Sequence, residues 1–377
     1  MRKILIVNNN MDMGGIQKSL VNLLTELQGK YDITLLLFSK SGALLADVPD
    51  SIPILTPGKA YQILGLSRQE LKKHPWLFGL KAFLMLVTKL FSRRSAMKLL
   101  GLFQKPISGF DAVISFSHLP HHNTFANGCG DFVLNKTRGG EKICFLHCDY
   151  LQSGYLSEHN NREYGEFQKI ACCSQSVKER FLQGSGLSEE KVFAVRNFYD
   201  LRFTKRSAKQ ETAWDNQLIH VVSLARLSEE KGITRALEAL HSSKREDIHY
   251  HIIGNGPQKK EIEQRIRELG LEKQVFLLGE QKEPYGYLRA ADYLLVPSYH
   301  EAAPMVFDEA KLLGVPVLTT NTTSAKEMVG TEEGIVCDNS TEGIRQALLQ
   351  IQKKTTREQK ALDNSCQIKQ FSQLLGE

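Results

Sequence analysis

The chain has 377 residues, of which 42% are apolar and 24% charged, and Lys plus Arg exceed Asp plus Glu by a net +6. This is an ordinary globular composition, longer than one core readily serves, so two domains are expected and a disordered chain is excluded. No apolar run approaches the roughly eighteen residues of a membrane span.

The opening, MRKILIVNNNMDMGG, is apolar only from Ile4 to Val7, which predicts a strand rather than a signal peptide. Further β-rich runs follow at 33–38, 112–116, 143–146 and 192–195. The second half repeats the theme at 220–224, 250–253, 275–278, 293–296 and 315–318. Continuous apolar strands that alternate with helical segments predict parallel sheets covered on both faces. Two such halves predict an α/β chain of two doubly wound, Rossmann-like domains. The first is expected over 1–200 and the second over 218–360. A polar stretch without apolar period, 201–217, reads as the linker. Leucines and charges at helical spacing over 340–376 predict terminal helices, the last of them (361–377) placed to return to the first domain.

The surplus charge is unevenly spread. From Arg68 to Lys105 there are nine Lys or Arg against Glu70 alone, so an anionic membrane surface is an expected partner of residues 68–105. Within this stretch Leu77, Leu80, Leu84, Val87 and Phe91 form a helical stripe, which reads either as a helix packed on its domain or as an interfacial helix. The cysteines number seven, without a Cys-x-x-Cys pair, which fits a reduced, cytoplasmic compartment. His118, His121, His122, Cys144, His147 and Cys148 match no common metal-ligand spacing, and no metal is expected.

Three turns follow strands directly. SLARLSEEKG (223–232) places Arg226 and Lys231 where a doubly wound sheet binds ligands; they read as phosphate ligands or as a surface pair with Glu229 and Glu230. IIGNGPQ (252–258) lacks the third glycine of a dinucleotide fingerprint, so Gly254 and Gly256 read as a tight turn at the sheet's carboxyl edge. NNNMDMGGIQ (8–17) sets Gly14 and Gly15 before a helix, where backbone can approach a ligand closely or simply turn. In HEAAPMVFDEA (300–310), Pro304 suits the first helical position, and the amides of Ala303, Met305 and Val306 can cradle an anion. Glu301 and Glu309 would repel a phosphate, so they should accept hydrogen bonds from hydroxyls. A ligand with both phosphates and hydroxyls, a nucleotide sugar, reconciles the two sets.

At these residues the chain resembles the retaining glycosyltransferases of family four, which have the GT-B fold. The resemblance rests on the glutamate pair Glu301 and Glu309, on SLARLSEEKG, on CCSQSVKERF (172–181), VRNFYD (195–200) and GIVCD (334–338), and on the glycine-containing first turn. It implies two domains facing across a cleft, with the donor on the second and the acceptor on the first beside Gly14 and Gly15. It implies that Glu309 binds ribose and Glu301 contacts the transferred sugar. Arg226 and Lys231 would meet the diphosphate, with Gly254 and the turn Ala303–Val306 completing the donor site. It also makes His147, in CFLHCDY, a catalytic candidate with Glu301, Arg226 and Lys231. The turn departs from the family in having Ala302 where glycine is usual. The function so implied is transfer of a sugar, UDP-linked, to a glycan acceptor, lipid-linked, in assembly of cell-surface polysaccharide. It needs no cofactor, involves no nucleic acid, and would take place in the cytoplasm or on the inner face of the cell membrane. Two other readings stay open: a sugar-nucleotide epimerase on the same fold, and a non-catalytic sugar- or lipid-binding scaffold.

Overall fold

The computed structural model describes residues 1–202, 214–215, 217–281, 283–353 and 362–377. They divide into two units, Met1–Phe198 with Asn364–Glu377, and Tyr199–Asp363. Most of the linker expected over 201–217 lies outside the described residues.

The first unit is built on a seven-stranded sheet. From edge to edge its order is Ile54–Leu55, Asp32–Leu37, Lys3–Asn8, Ala112–Ser115, Glu141–Leu146, Lys169–Cys172 and Val192–Ala194. Every neighbouring pair is parallel. Ile4 pairs with Ile33 on one side and Ala112 on the other. Ile4, Leu5, Ile6 and Val7 are all fully buried, which is why this strand shows no polar alternation. Helix Gly15–Leu27 lays Leu20, Leu23, Leu24 and Leu27 onto the sheet.

The last helix, Ser365–Leu375, belongs to this unit. Phe371, Leu374 and Leu375 enter the same core as Ile33 and Tyr31, and Tyr31 meets Phe371 edge-on at 5.7 Å. Its carbonyl end is closed by Lys169, whose Nζ donates to Leu374 O at 2.6 Å, and by Arg2, which donates to Leu375 O. Cations at a helix C-terminus also suit its dipole.

The stretch 76–103 forms two helices, Pro75–Leu90 and Arg93–Gly101. Phe91 leaves the helical region at φ −123°, ψ −83°, and Ser92 caps the next helix by accepting from Ser95 N at 3.1 Å. Leu77 and Leu84 are buried as the stripe predicts, but Phe91 lies outside both helices and is exposed. The cations also differ from a simple basic surface. Arg93 is buried between Asp131 and Glu163, and Arg94 forks onto Glu166 at 2.6 and 3.0 Å. A buried guanidinium needs such acids to offset its desolvation.

The second unit carries a six-stranded parallel sheet, ordered Val275–Gly279, Ile248–Ile253, Ile219–Leu224, Tyr293–Val296, Val317–Thr320 and Gly334–Cys337. The run predicted at 315–318 becomes a strand only at Val317. Pro316 has no N–H to give a ladder and contributes its carbonyl alone, to Leu294 N at 3.0 Å. Among the described residues, no helix is long and apolar enough to cross a membrane.

Candidate functional site

In the second unit the winding reverses between Ile219–Leu224 and Tyr293–Val296, which pair directly. Loops leaving the carboxyl ends of two such strands turn to opposite faces of the sheet, and the gap between them is where open α/β sheets bind ligands. The two loops here are 225–232, with Arg226 and Lys231, and 297–304, with Glu301.

They meet at one oxygen. Lys231 Nζ donates to Glu301 Oε1 at 2.7 Å, and Ser298 Oγ donates to the same oxygen at 2.7 Å. Arg226 is exposed. Glu309 sits in the second turn of helix Met305–Leu312, is 9% exposed, and accepts from Tyr285 OH at 3.4 Å. Pro304, predicted at the first helical position, is instead the cap preceding it. Its ψ of 121° is extended, so the helix starts at Met305. The amides of Met305 and Val306 therefore head the first turn. Ala302 fits without strain: among the described non-glycine residues only Asn127 and Lys244 have positive φ.

The neighbouring turn supports this loop. Gly254 has φ 147°, and a Cβ there would run into Ala225 O; one on Gly256 would run into Leu227 O. Leu227 N donates to Asn255 O at 2.9 Å and Gln258 N to Leu227 O at 3.0 Å. These glycines let two backbones touch, which fixes the segment that carries Arg226.

The sequence reading missed Arg235. It is 4% exposed in helix Ile233–Ser243. Its Nε donates to Pro297 O at 2.8 Å, and its Nη2 donates to Ser298 O at 2.6 Å and Asn339 Oδ1 at 2.8 Å. The guanidinium lies 3.8 Å from the centre of the Tyr299 ring. It clamps the loop that ends in Glu301. An arginine among Ile233, Ala236, Leu237 and Ala239 was the available signal.

In the first unit, Gly14 caps helix Gly15–Leu27 with φ −176°, an extended backbone open to any residue. A Cβ on Gly15 would meet nothing, and one on Gly14 only the flexible end of Gln17. The fold itself does not require either glycine. That helix has no acid in its first turn and no side-chain cap, so its positive end is not offset from within.

His147 follows strand Glu141–Leu146, stacks on Phe145 at 5.7 Å and lies tilted against Phe116 at 4.9 Å. Its Nε2 is buried without a hydrogen-bond partner, as is Nδ1 of His118. Burial holds the His147 imidazole down to about 3, helped by the nearby His118, and holds His118 down to about 4. Both rings are therefore neutral near pH 7. The unfolded chain binds those two protons near the usual value of about 6.5. The stability these rings confer is full above that pH and is lost as pH falls towards 4 and 3. We expect the melting temperature to drop over this window, and less steeply in His147→Gln; parallel slopes for the two proteins would refute the assignment. Among the described residues, no group of three or more His, Cys, Asp or Glu could hold a metal ion.

Residues 204–365 match the family described as glycosyl transferases group 1. A putative colanic acid biosynthesis glycosyltransferase of Escherichia coli is 29% identical over 225 residues, 55% of this chain and 54% of that protein. A Campylobacter jejuni N-acetylgalactosaminyltransferase, whose name specifies a diphospho-undecaprenol-linked acceptor, is 28% identical over 161 residues, 42% of this chain and 43% of that one. The chain thus spans about half the length of these relatives. Among solved structures, Anabaena HepE in complex with UDP and glucose matches with a TM-score of 0.64 at 18% identity, over 93% of this chain and 89% of that one. At that identity the likeness establishes the fold.

Proposed function

We infer, from a chain whose residues 204–365 match the group 1 glycosyl transferases, that this protein moves a sugar from a nucleoside-diphosphate sugar, UDP-linked, to a glycan, with retention of anomeric configuration. The observation that carries the reading is the meeting of Lys231, Ser298 and Glu301 at the switch point of the sheet, with buried Glu309 on the adjoining helix. Here are cations for a diphosphate and carboxylates for hydroxyls in one place. Arg226, Lys231 and the amides of Met305 and Val306 stabilise the departing diphosphate, which is electrostatic help aimed at charge that develops in the reaction. Glu309 holds the ribose and Glu301 the transferred sugar, oriented by Ser298 and Lys231. No protein nucleophile is required.

The first unit serves the acceptor. Gly14 and Gly15 leave backbone open at an uncompensated helix start, and His147 offers an unpartnered nitrogen from a neutral ring. Such a nitrogen can exchange a hydrogen bond or a proton with an acceptor hydroxyl. A lipid-linked glycan of cell-surface polysaccharide assembly is the acceptor class supported by the relatives' names, and the inner face of the cell membrane is the corresponding place.

Glu309→Ala tests the donor site. Ribose hydroxyls left without their acceptor cost about 1–3 kcal/mol, so calorimetry should find UDP bound roughly 5- to 150-fold more weakly at an unchanged melting temperature. Equal affinity in the two proteins would remove Glu309 from the site.

A further inference from the structure

Helix Pro75–Leu90 is apolar on two opposite faces. One face buries Leu77, Leu84 and Thr88 against the first unit. The other presents Trp76, Phe78, Phe83, Met85, Leu86 and Leu90, each between 43% and 66% exposed. Phe91 just beyond it is 76% exposed, and Leu102 and Phe103, at the end of the helix that folds back beside it, are 77% and 60% exposed. Most of the exposed large apolar side chains among the described residues fall in this short stretch. A continuous apolar surface of this kind on a globular protein marks an interaction site.

The surrounding charges identify the partner. Arg68, Lys72, Lys73, Lys89, Lys98 and Lys105 are all exposed, while the single acid of the segment, Glu70, is half-buried and held in the cap of Ser67. The segment's own exposed charges are therefore all cationic, and the exposed acid beside them, Glu166, is held by Arg94. A second copy of the chain seated on this face would bring two cationic rims together. An anionic bilayer takes the rim and the apolar face at once: lysine stems lie along apolar surface with their heads among lipid phosphates, and the rings and leucines enter the acyl boundary.

We propose that the outward face of helix Pro75–Leu90, with Leu102 and Phe103, is a wedge that inserts shallowly and parallel to the surface of an anionic bilayer. The hold comes first from apolar burial and second from charge. This changes what the sequence alone led us to expect, an attraction carried by nine cations, since Arg93 and Arg94 are committed to acids of the fold. A helix of 16 residues, about 24 Å long, is too short to span and long enough to lie in the interface. The inference uses the first unit alone and stands apart from the transferase reading.

Trp76 is one of two tryptophans. The other, Trp214, is stacked on His220 and His251 at 4.6 and 4.2 Å in the second unit, so Trp76 is the reporter. The full chain is mixed with vesicles of phosphatidylglycerol and phosphatidylcholine with brominated acyl chains. The expected result is a blue-shifted, bromine-quenched Trp76 emission that persists in high salt, and weaker uptake by vesicles of phosphatidylcholine alone. Leu86→Glu should lower vesicle affinity at least about tenfold at unchanged melting temperature and UDP affinity. Three results would overturn the proposal: no quenching with either vesicle, binding abolished by salt, or a dimer that Leu86→Glu splits without any vesicle uptake. Loss of UDP binding in the parent protein would count against the transferase reading and leave the wedge untouched.

Discussion

Replacing Lys231 by Ala should lower sugar-transfer turnover about 100- to 1000-fold, the cost of removing one preorganised donor from developing negative charge. The melting temperature should hardly move. The side chain is partly exposed and pairs with Glu301, so it contributes little to folding. Two effects combine in the mutant. The leaving diphosphate loses a cation, and Glu301 loses one of the two donors that set its orientation, keeping only Ser298. The second effect can be read separately: Ser298→Ala removes the other donor while leaving Lys231 in place, and should cost less. The measurement is single-turnover transfer at saturating donor, beside calorimetric UDP affinity. Turnover within a few-fold of the parent would mean that the Lys231–Glu301 pair is a surface salt bridge of the loop.

Arg235→Met should be the most damaging change to stability, by about 3 kcal/mol. The side chain is buried and its guanidinium satisfies Pro297 O, Ser298 O and Asn339 at once. Methionine fills similar volume but leaves buried carbonyls unpaired, at about 1–3 kcal/mol for each group so stranded. Ser298 O keeps a second donor in Thr320 Oγ1 at 2.6 Å, so the loss falls mainly on Pro297 O. The same loop carries Glu301, so turnover should fall by more than affinity for UDP. Lysine at 235 should not restore either, because a point charge cannot reproduce a fork. Urea unfolding and steady-state kinetics on the same samples decide it. A destabilised protein with normal turnover would show that the clamp holds the fold and leaves Glu301 where it was.

The parallel sheets are legible in the sequence because buried strands read as unbroken apolar runs. Ile4–Val7 and the run at 293–296 are cases in which no polar residue interrupts the strand. Lys169–Cys172 escapes that test because its flanks are polar and only Ile170 and Ala171 separate lysine from the cysteines. Ile54–Leu55 is too short to carry any period. The acids and bases of the second unit are legible as types, since cations and carboxylates in loops after strands have few structural reasons to be there. Their mutual contact is not, because Lys231 and Glu301 are 70 residues apart and only the pairing of two strands joins their loops. Gly254 is legible from its spacing as a tight turn, and a Cβ there would run into Ala225 O. The helical stripe at 76–91 reveals the buried face but not that the remaining face also stays apolar, since periodicity alone does not say which side meets solvent.

The docking of Ser365–Leu375 on the first sheet sets an order in time. As the chain leaves the ribosome, Tyr31, Ile33 and Val195 emerge long before Phe371 and Leu374, which cover the same core. The first half therefore waits, with part of its apolar surface bare, while the whole second unit is synthesised. A nascent chain stalled before Asn364 should be sticky and readily held by chaperones that bind exposed apolar surface, and its release should coincide with the last eleven-residue helix clearing the exit tunnel. Completion of the first unit thus reports that the second has been made.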